Sequence, residues 1–303
     1  MICVWVYDAL LCRYWFKPVL LKQITCFLTR VTTRALGLWC LVTPLVQAEL
    51  ERPQRIVSMN QCTDELLLKL ADPQQIQSVT HFIKDPSVSW DAEQAERYPS
   101  NQGHVEELLD YAPDLILVGE FNARSSVMML QELGLNVHVF RHPQGISDVY
   151  EQIHRVAHLV GYPERGAKLV TQIRTHFEAQ PKPGRPLQAV VYQPNGFTMG
   201  RNSVVEDVLA AAGYVNAAAD WGDGQYSYYP LEQLIERQPD VLILDPQSLG
   251  TPALAHQILR HPALAQAFGD LRLIEMPPQA WSCGGPHLTS AVTLLRELRR
   301  ELL

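Results

Sequence analysis

Several common signatures are missing from this sequence of 303 residues. It holds no Cys-x-x-Cys and no His-x-x-His pair, which argues against a bare-metal site. No Gly-x-Gly-x-x-Gly and no phosphate loop follow a strand, and no serine, histidine and aspartate stand in recognisable catalytic surroundings. Basic runs are also absent. With 25 Lys and Arg against 32 Asp and Glu, and a formal net charge of −7, nucleic acid and anionic membrane surfaces are poor partners. Cysteine is scarce, and four of the six cysteines lie within the first 40 residues.

What the N-terminal region does have is an export signal. Arg34 supplies a charged start, Ala35 to Val46 an apolar stretch, and Val46-Gln47-Ala48 a small-residue cleavage site. The apolar part is too short to span a bilayer as a stable helix, so cleavage near Ala48 is predicted in preference to a membrane anchor or a buried helix. Trp39 is too large to precede a lipid-modified Cys40. Residues 1–30 carry scattered aromatics and three cysteines but no clean charged start, so they read as an over-extended start, with translation beginning near Val31. Removing residues 1–48 leaves 255 residues with 20 basic against 31 acidic side chains, a charge of −11. That length suits one large domain or two lobes. Only Cys62 and Cys283 remain, too few for a disulfide scaffold.

Beyond the signal, short apolar runs alternate with helical patterns, which predicts an α/β architecture. Strands are expected at 55–59, 77–80, 114–118 and 136–140, with a helix at 64–70 capped by Thr63. From Ile146 to Ala179 there is no strand signal. Apolar residues at helical spacing, restarted at Gly161-Tyr162-Pro163, predict helices that end at the prolines from Pro181 to Pro186. Strands resume at 189–192, 241–244 and 271–274.

The two halves also repeat each other. Glu106, Leu108, Pro113 and Asp114 correspond to Glu232, Leu234, Pro239 and Asp240 at a constant offset of 126. Each copy reads as a short helix, a Pro-Asp turn and a buried strand. That phrase is common in α/β proteins. With a helical stretch between the copies, two pseudo-symmetric lobes are the better account. The predicted division is a leader at 1–48, an N-terminal lobe at 49–144, a helical connection at 145–185 and a C-terminal lobe at 186–303.

In the order and spacing of these fragments, from Arg55 to Leu302, the chain resembles the periplasmic binding proteins of iron-siderophore, haem and cobalamin importers, the cobalamin binders above all. The resemblance implies two Rossmann-like lobes with mostly parallel sheets joined by a rigid interlobe helix, small hinge closure, a monomer, no catalysis and no intrinsic cofactor. It implies a metal-containing cargo, a corrinoid or iron chelate, delivered to the permease dimer of an inner-membrane ABC importer. Glu106 and Glu232 would meet arginines on the two permease subunits, although each equally favours its own helix N-terminus.

Cargo in such folds sits where strand ends meet. That rule places Asn60, Gln61, Cys62, Phe82, Glu120 and Phe121 on one wall. Gln193, Pro194, Asn195, Phe197, Tyr226, Trp281, Ser282 and Cys283 fall on the other. Trp281 could instead cap the core, Asn195-Gly196 could be only a turn, and Glu120 reads more as a solvated loop end. Of Tyr226, Tyr228 and Tyr229, one or two would face the cleft. His104 could ligate a cargo metal axially, or be one surface histidine among ten. Cys62 and Cys283 are expected as free thiols on opposite walls, since a bridge would staple the lobes together. A periplasmic enzyme or chelatase on a similar fold is the alternative function, and an adaptor without an aromatic cleft a third.

Overall fold

The computed structural model describes residues 52–179, 184–222, 224–245, 253–269 and 273–303. The predicted signal and the first two positions of the strand expected at 271–274 lie outside them. The N-terminal lobe is built on a parallel sheet in the order β3-β2-β1-β4-β5. Its strands are β1 (Ile56–Ser58), β2 (Ile76–Thr80), β3 (Ser100–Asn101), β4 (Leu115–Gly119) and β5 (Val137–Phe140). The C-terminal lobe has a parallel sheet of β6 (Leu187–Val191), β8 (Tyr214–Asn216), β10 (Val241–Leu244) and β11 (Leu273–Glu275), ordered β11-β10-β6-β8. An antiparallel pair, β7 (Phe197–Met199) and β9 (Tyr226–Tyr228), is attached to it. The chain is thus α/β with two parallel-sheet lobes.

β1 and β4 are buried along their whole length, as a sheet covered on both faces requires. The helix after β1, α1 (Gln61–Leu70), begins earlier than Thr63. Asn60 is its cap, its side-chain oxygen accepting from the amides of Cys62 and Thr63 at 3.0 and 3.3 Å. The short helices α2 (Ala92–Ala95) and α3 (Val105–Leu109) precede β4, and α4 (Arg124–Glu132) follows it.

Between β5 and β6 the described chain runs through two helices, α5 (Ile146–Leu159) and α6 (Pro163–Glu178). Gly161 turns between them at φ 87°, and Pro163, which needs no amide partner, opens α6. The turn is pinned to the N-terminal lobe at Asp72, which bonds the Tyr162 hydroxyl and pairs with Arg165 at 2.6 Å. Gly166 lets the helices touch, because a β-carbon there would meet that of Ala157 at 2.5 Å.

The C-terminal lobe adds α7 (Val204–Ala212), α8 (Leu231–Arg237), α9 (Pro262–Phe268) and α10 (Leu288–Leu302). One apolar core runs through both lobes, from Leu66 on α1 through Ile153 and Ile173 to Leu209 and Leu295. Smaller clusters lie under α3 and α4 and under α8 and α9. The lobes therefore share a hydrophobic backing, and burial of these aliphatic side chains stabilises their arrangement as much as each fold.

Candidate ligand-binding site

In each sheet, strand order reverses beside the first strand of the lobe, between β1 and β4 and between β6 and β10. Loops leaving such points diverge and form a crevice. The β1 and β4 loops are locked together. Asn122 donates to the Met59 carbonyl and accepts from the Gly119 amide, both at 2.7 Å. Gly119 has to be glycine here, since a β-carbon would lie 2.6 Å from the Asn60 side-chain nitrogen.

A groove of about 810 Å³ opens where β4, β5 and α5 meet the β9 strand of the other lobe. That volume falls within the roughly 300–1,000 Å³ of small-molecule sites. Its walls include Glu120, Phe121, Arg141, His142, Gln225 and Tyr226. Glu120 is exposed just past β4, as a loop end, and its carboxylate accepts the His142 amide at 2.6 Å. A row of rings crosses from lobe to lobe. Phe121 lies 6.2 Å from His142, His142 6.1 Å from Tyr226, Tyr226 stacks on Phe197 at 5.5 Å, and Phe197 meets Tyr228 edge-on at 5.5 Å. Phe121 is 79% exposed, so its ring is open to a ligand in the groove it lines. Surrounding protein holds the His142 imidazole below its usual range, with Glu120 opposing, so the neutral ring is favoured. Burial likewise raises the Tyr226 phenol, and Glu120 adds to it.

The remaining expected residues divide. Gln193, Trp281 and Ser282 line a smaller cavity of about 80 Å³ that also touches His142. Trp281 packs against the main core as well, so it is both cap and wall. Asn60 is committed to capping, and Gln61 donates to the Val88 carbonyl at 2.9 Å. Pro194 and Asn195 form a turn, with Asn195 at φ 60°. The following Gly196 has to be glycine, because a β-carbon would sit 2.4 Å from the Tyr229 carbonyl. Phe82 is exposed, and its ring lies tilted against His81 at 3.9 Å rather than in the ring row. Tyr229 is buried, whereas Tyr226 and Tyr228 are exposed. His104 is exposed at the head of α3 and lines neither cavity. His142, the centre of the row, was missed, although it stands just past the end of β5, where the strand-end rule points.

The cysteine expectation is overturned. Cys62 and Cys283 are joined, with Cα atoms 5.1 Å apart, inside the limit of about 7 Å for a bridge. The final loop folds onto the heads of α1 and α5 instead of standing on the far wall. Gly284 permits it, since a β-carbon would meet Val149 at 2.7 Å and Pro143 at 3.1 Å. Neither cysteine lines the groove.

A model of the periplasmic binding protein family matches residues 56–279, most of the chain. The chain belongs to that family. This periplasmic binding protein is similar to a cobalamin-binding protein of Halobacterium salinarum, with 26% identity over 198 residues, 63% of this chain and 53% of the relative. It thus spans about half the length of that curated relative. Among solved structures, the periplasmic haem-binding protein RhuT of Roseiflexus sp. RS-1 superposes with a TM-score of 0.69 and 24% identity, covering 82% of this chain and 98% of that one. The vitamin B12 binding protein BtuF of Vibrio cholerae gives 0.62 and 16%, covering 83% and 98%. At such identities the superpositions show the fold alone. The family is one of binding proteins rather than of enzymes.

Proposed function

We propose that this periplasmic binding protein captures a metal chelate or corrinoid in the interlobe groove and delivers it to the permease dimer of an inner-membrane ABC importer. The observation that carries the reading is that Phe121, His142 and Tyr226 line one groove from both lobes, while Phe197 and Tyr228 continue the ring row outside its lining. Flat or ring-rich ligands stack on such faces, and His142 and Tyr226 add a nitrogen and an oxygen that can face a metal or polar edge. The named relatives, which bind haem, cobalamin and vitamin B12, support the same class. The metal comes with the cargo. Export by cleavage near Ala48 and action as a monomer complete the proposal, with Glu106 and Glu232 as docking residues. Both glutamates are exposed at the heads of α3 and α8.

The test is titration of the mature protein with haemin, cyanocobalamin and a ferric hydroxamate, followed by tryptophan fluorescence. Trp281 lines the smaller cavity, which shares His142 with the groove, so its fluorescence is expected to respond when the groove fills. One of the three should saturate at one molecule per chain with sub-micromolar affinity. Failure of all three contradicts the proposal.

A further inference from the structure

The segment from Pro277 to His287 belongs to the C-terminal lobe yet lies against the N-terminal one. Gln279 donates to the Pro86 carbonyl at 2.9 Å. His287 Nε2 stands 2.9 Å from the Asp91 carboxylate, with Trp90 edge-on to its ring at 5.2 Å. Gly285 covers Glu65, so that a β-carbon would come within 3.3 Å of the Glu65 carboxyl. Among the described residues the Cys62–Cys283 bond is the one covalent tie between the lobes besides the chain itself, across a sequence separation of 221. It sits beside the shared core, where it opposes separation of the lobes without filling the groove.

We propose that this bridge is a reducible latch: a dithiol reductant in the same compartment opens it, frees the 277–287 segment from the N-terminal lobe and loosens the lobes' hold on cargo. The cargo part rests on the binding function proposed above, whereas the latch itself is testable without cargo. Cys62 is half-buried and Cys283 buried, so attack comes at the Cys62 sulfur. The reductant's thiolate bonds to that sulfur, the bond to Cys283 breaks, and Cys283 leaves as a thiolate and takes up a proton. The reductant's second thiol, as thiolate, then attacks its own partner sulfur and releases Cys62. Two electrons pass to the protein, and the reductant ends as a disulfide.

The ground beneath the latch suits release. Glu65 is buried with one carboxyl oxygen lacking a partner, and burial, then Asp91 and Asp64, raise its pKa to about 8, against Lys69 and Gln61. His287 reaches this group of charges through Asp91. While the segment covers it, Glu65 is favoured neutral; once the segment lifts, water allows it to ionise, which opposes return. Release is therefore easier as pH rises.

Hydrogen exchange of the protein, made in an oxidising compartment and compared with and without dithiothreitol, tests the latch. Mass spectrometry checks that reduction adds two hydrogens. The segment 277–287 should exchange roughly tenfold faster after reduction and should then exchange faster than β4 and β10, which remain the slowest elements. Cys283→Ser should exchange at the fast rate under both conditions. Equal exchange in the two forms overturns the proposal, as do two free thiols before reduction. Exchange of β4 and β10 as fast as that of 277–287 after reduction also overturns it, since the bridge would then be a structural staple. The wild-type comparison needs no variant to fold.

Discussion

Asp114 and Asp240, separated by 126 positions, each receive a backbone amide from the first strand of their own lobe or the turn into it. Asp114 accepts from Arg55 at 2.9 Å and Asp240 from Gln188 at 2.8 Å. The residues two positions earlier, Ala112 and Gln238, hold left-handed backbone at φ 44° and 45°. The Pro-Asp repeat is therefore a mechanical joint that ties the start of β4 to β1 and of β10 to β6. Asp114→Ala and Asp240→Ala should each cost about 1.5–3 kcal/mol, the range for losing bonds to a charged acceptor. Urea denaturation checks both. A loss at one position and none at the other would break the equivalence.

Removing the bridge acts on the unfolded chain as well as on the latch. Closing so long a loop restricts the denatured ensemble, so the Cys62→Ser, Cys283→Ser double variant should lose roughly 2–5 kcal/mol against the oxidised protein. Denaturant midpoints with and without reductant measure it, and the double variant should ignore the reductant.

The buried carboxyls give stability a definite pH sign. Burial lifts Asp64 to about 7, against hydrogen bonds from Ser58 and Thr80, and Glu65 stands at about 8. Both lie above the values of an unfolded chain, so the folded state holds extra protons between about pH 4 and 8. Their contribution is complete at acid pH and declines as pH rises through that window. Glu65→Gln should flatten the decline, gaining roughly 2–4 kcal/mol at pH 8.5 relative to its effect at pH 5. Melting temperatures across this range give the answer, and parallel profiles for variant and parent would contradict it.

Docking and capture should separate. Replacing Glu106 and Glu232 together by alanine should abolish uptake while leaving cargo affinity unchanged, because rim charges steer and orient association. His142→Ala should do the reverse, weakening affinity about tenfold with docking intact, the scale of one lost ring contact. Uptake assays alongside titrations distinguish the two.

Much of this was legible because it repeats or alternates. The 105–118 and 231–244 copies, the buried strands and the strand-free stretch from Ile146 to Ala179 come from apolar spacing alone. β3, β7, β8 and β9 were not legible, since, unlike the equally short β1 and β11, none of them carries two adjacent aliphatic residues. Thr63 looked like the cap because hydroxyls favour that place, but the turn of the helix starts at Asn60, whose side chain lies so close that residue 119 has to be glycine. The bridge was misread from the assumption that the last loop faces Cys62 across the cleft. The adjacent Gly284 and Gly285, which let that loop close against α1 and α5, were the available clue. His142 was within reach of the strand-end rule and was lost only because the rule was not carried to β5.

Native mass spectrometry of the protein released from its own cell envelope tests the central claim most directly. The account predicts one metal-containing molecule per chain, with the isotope pattern of iron or cobalt, lost when His142 and Tyr226 are both replaced by alanine. A bound sugar, amino acid or other metal-free solute in that groove would contradict it.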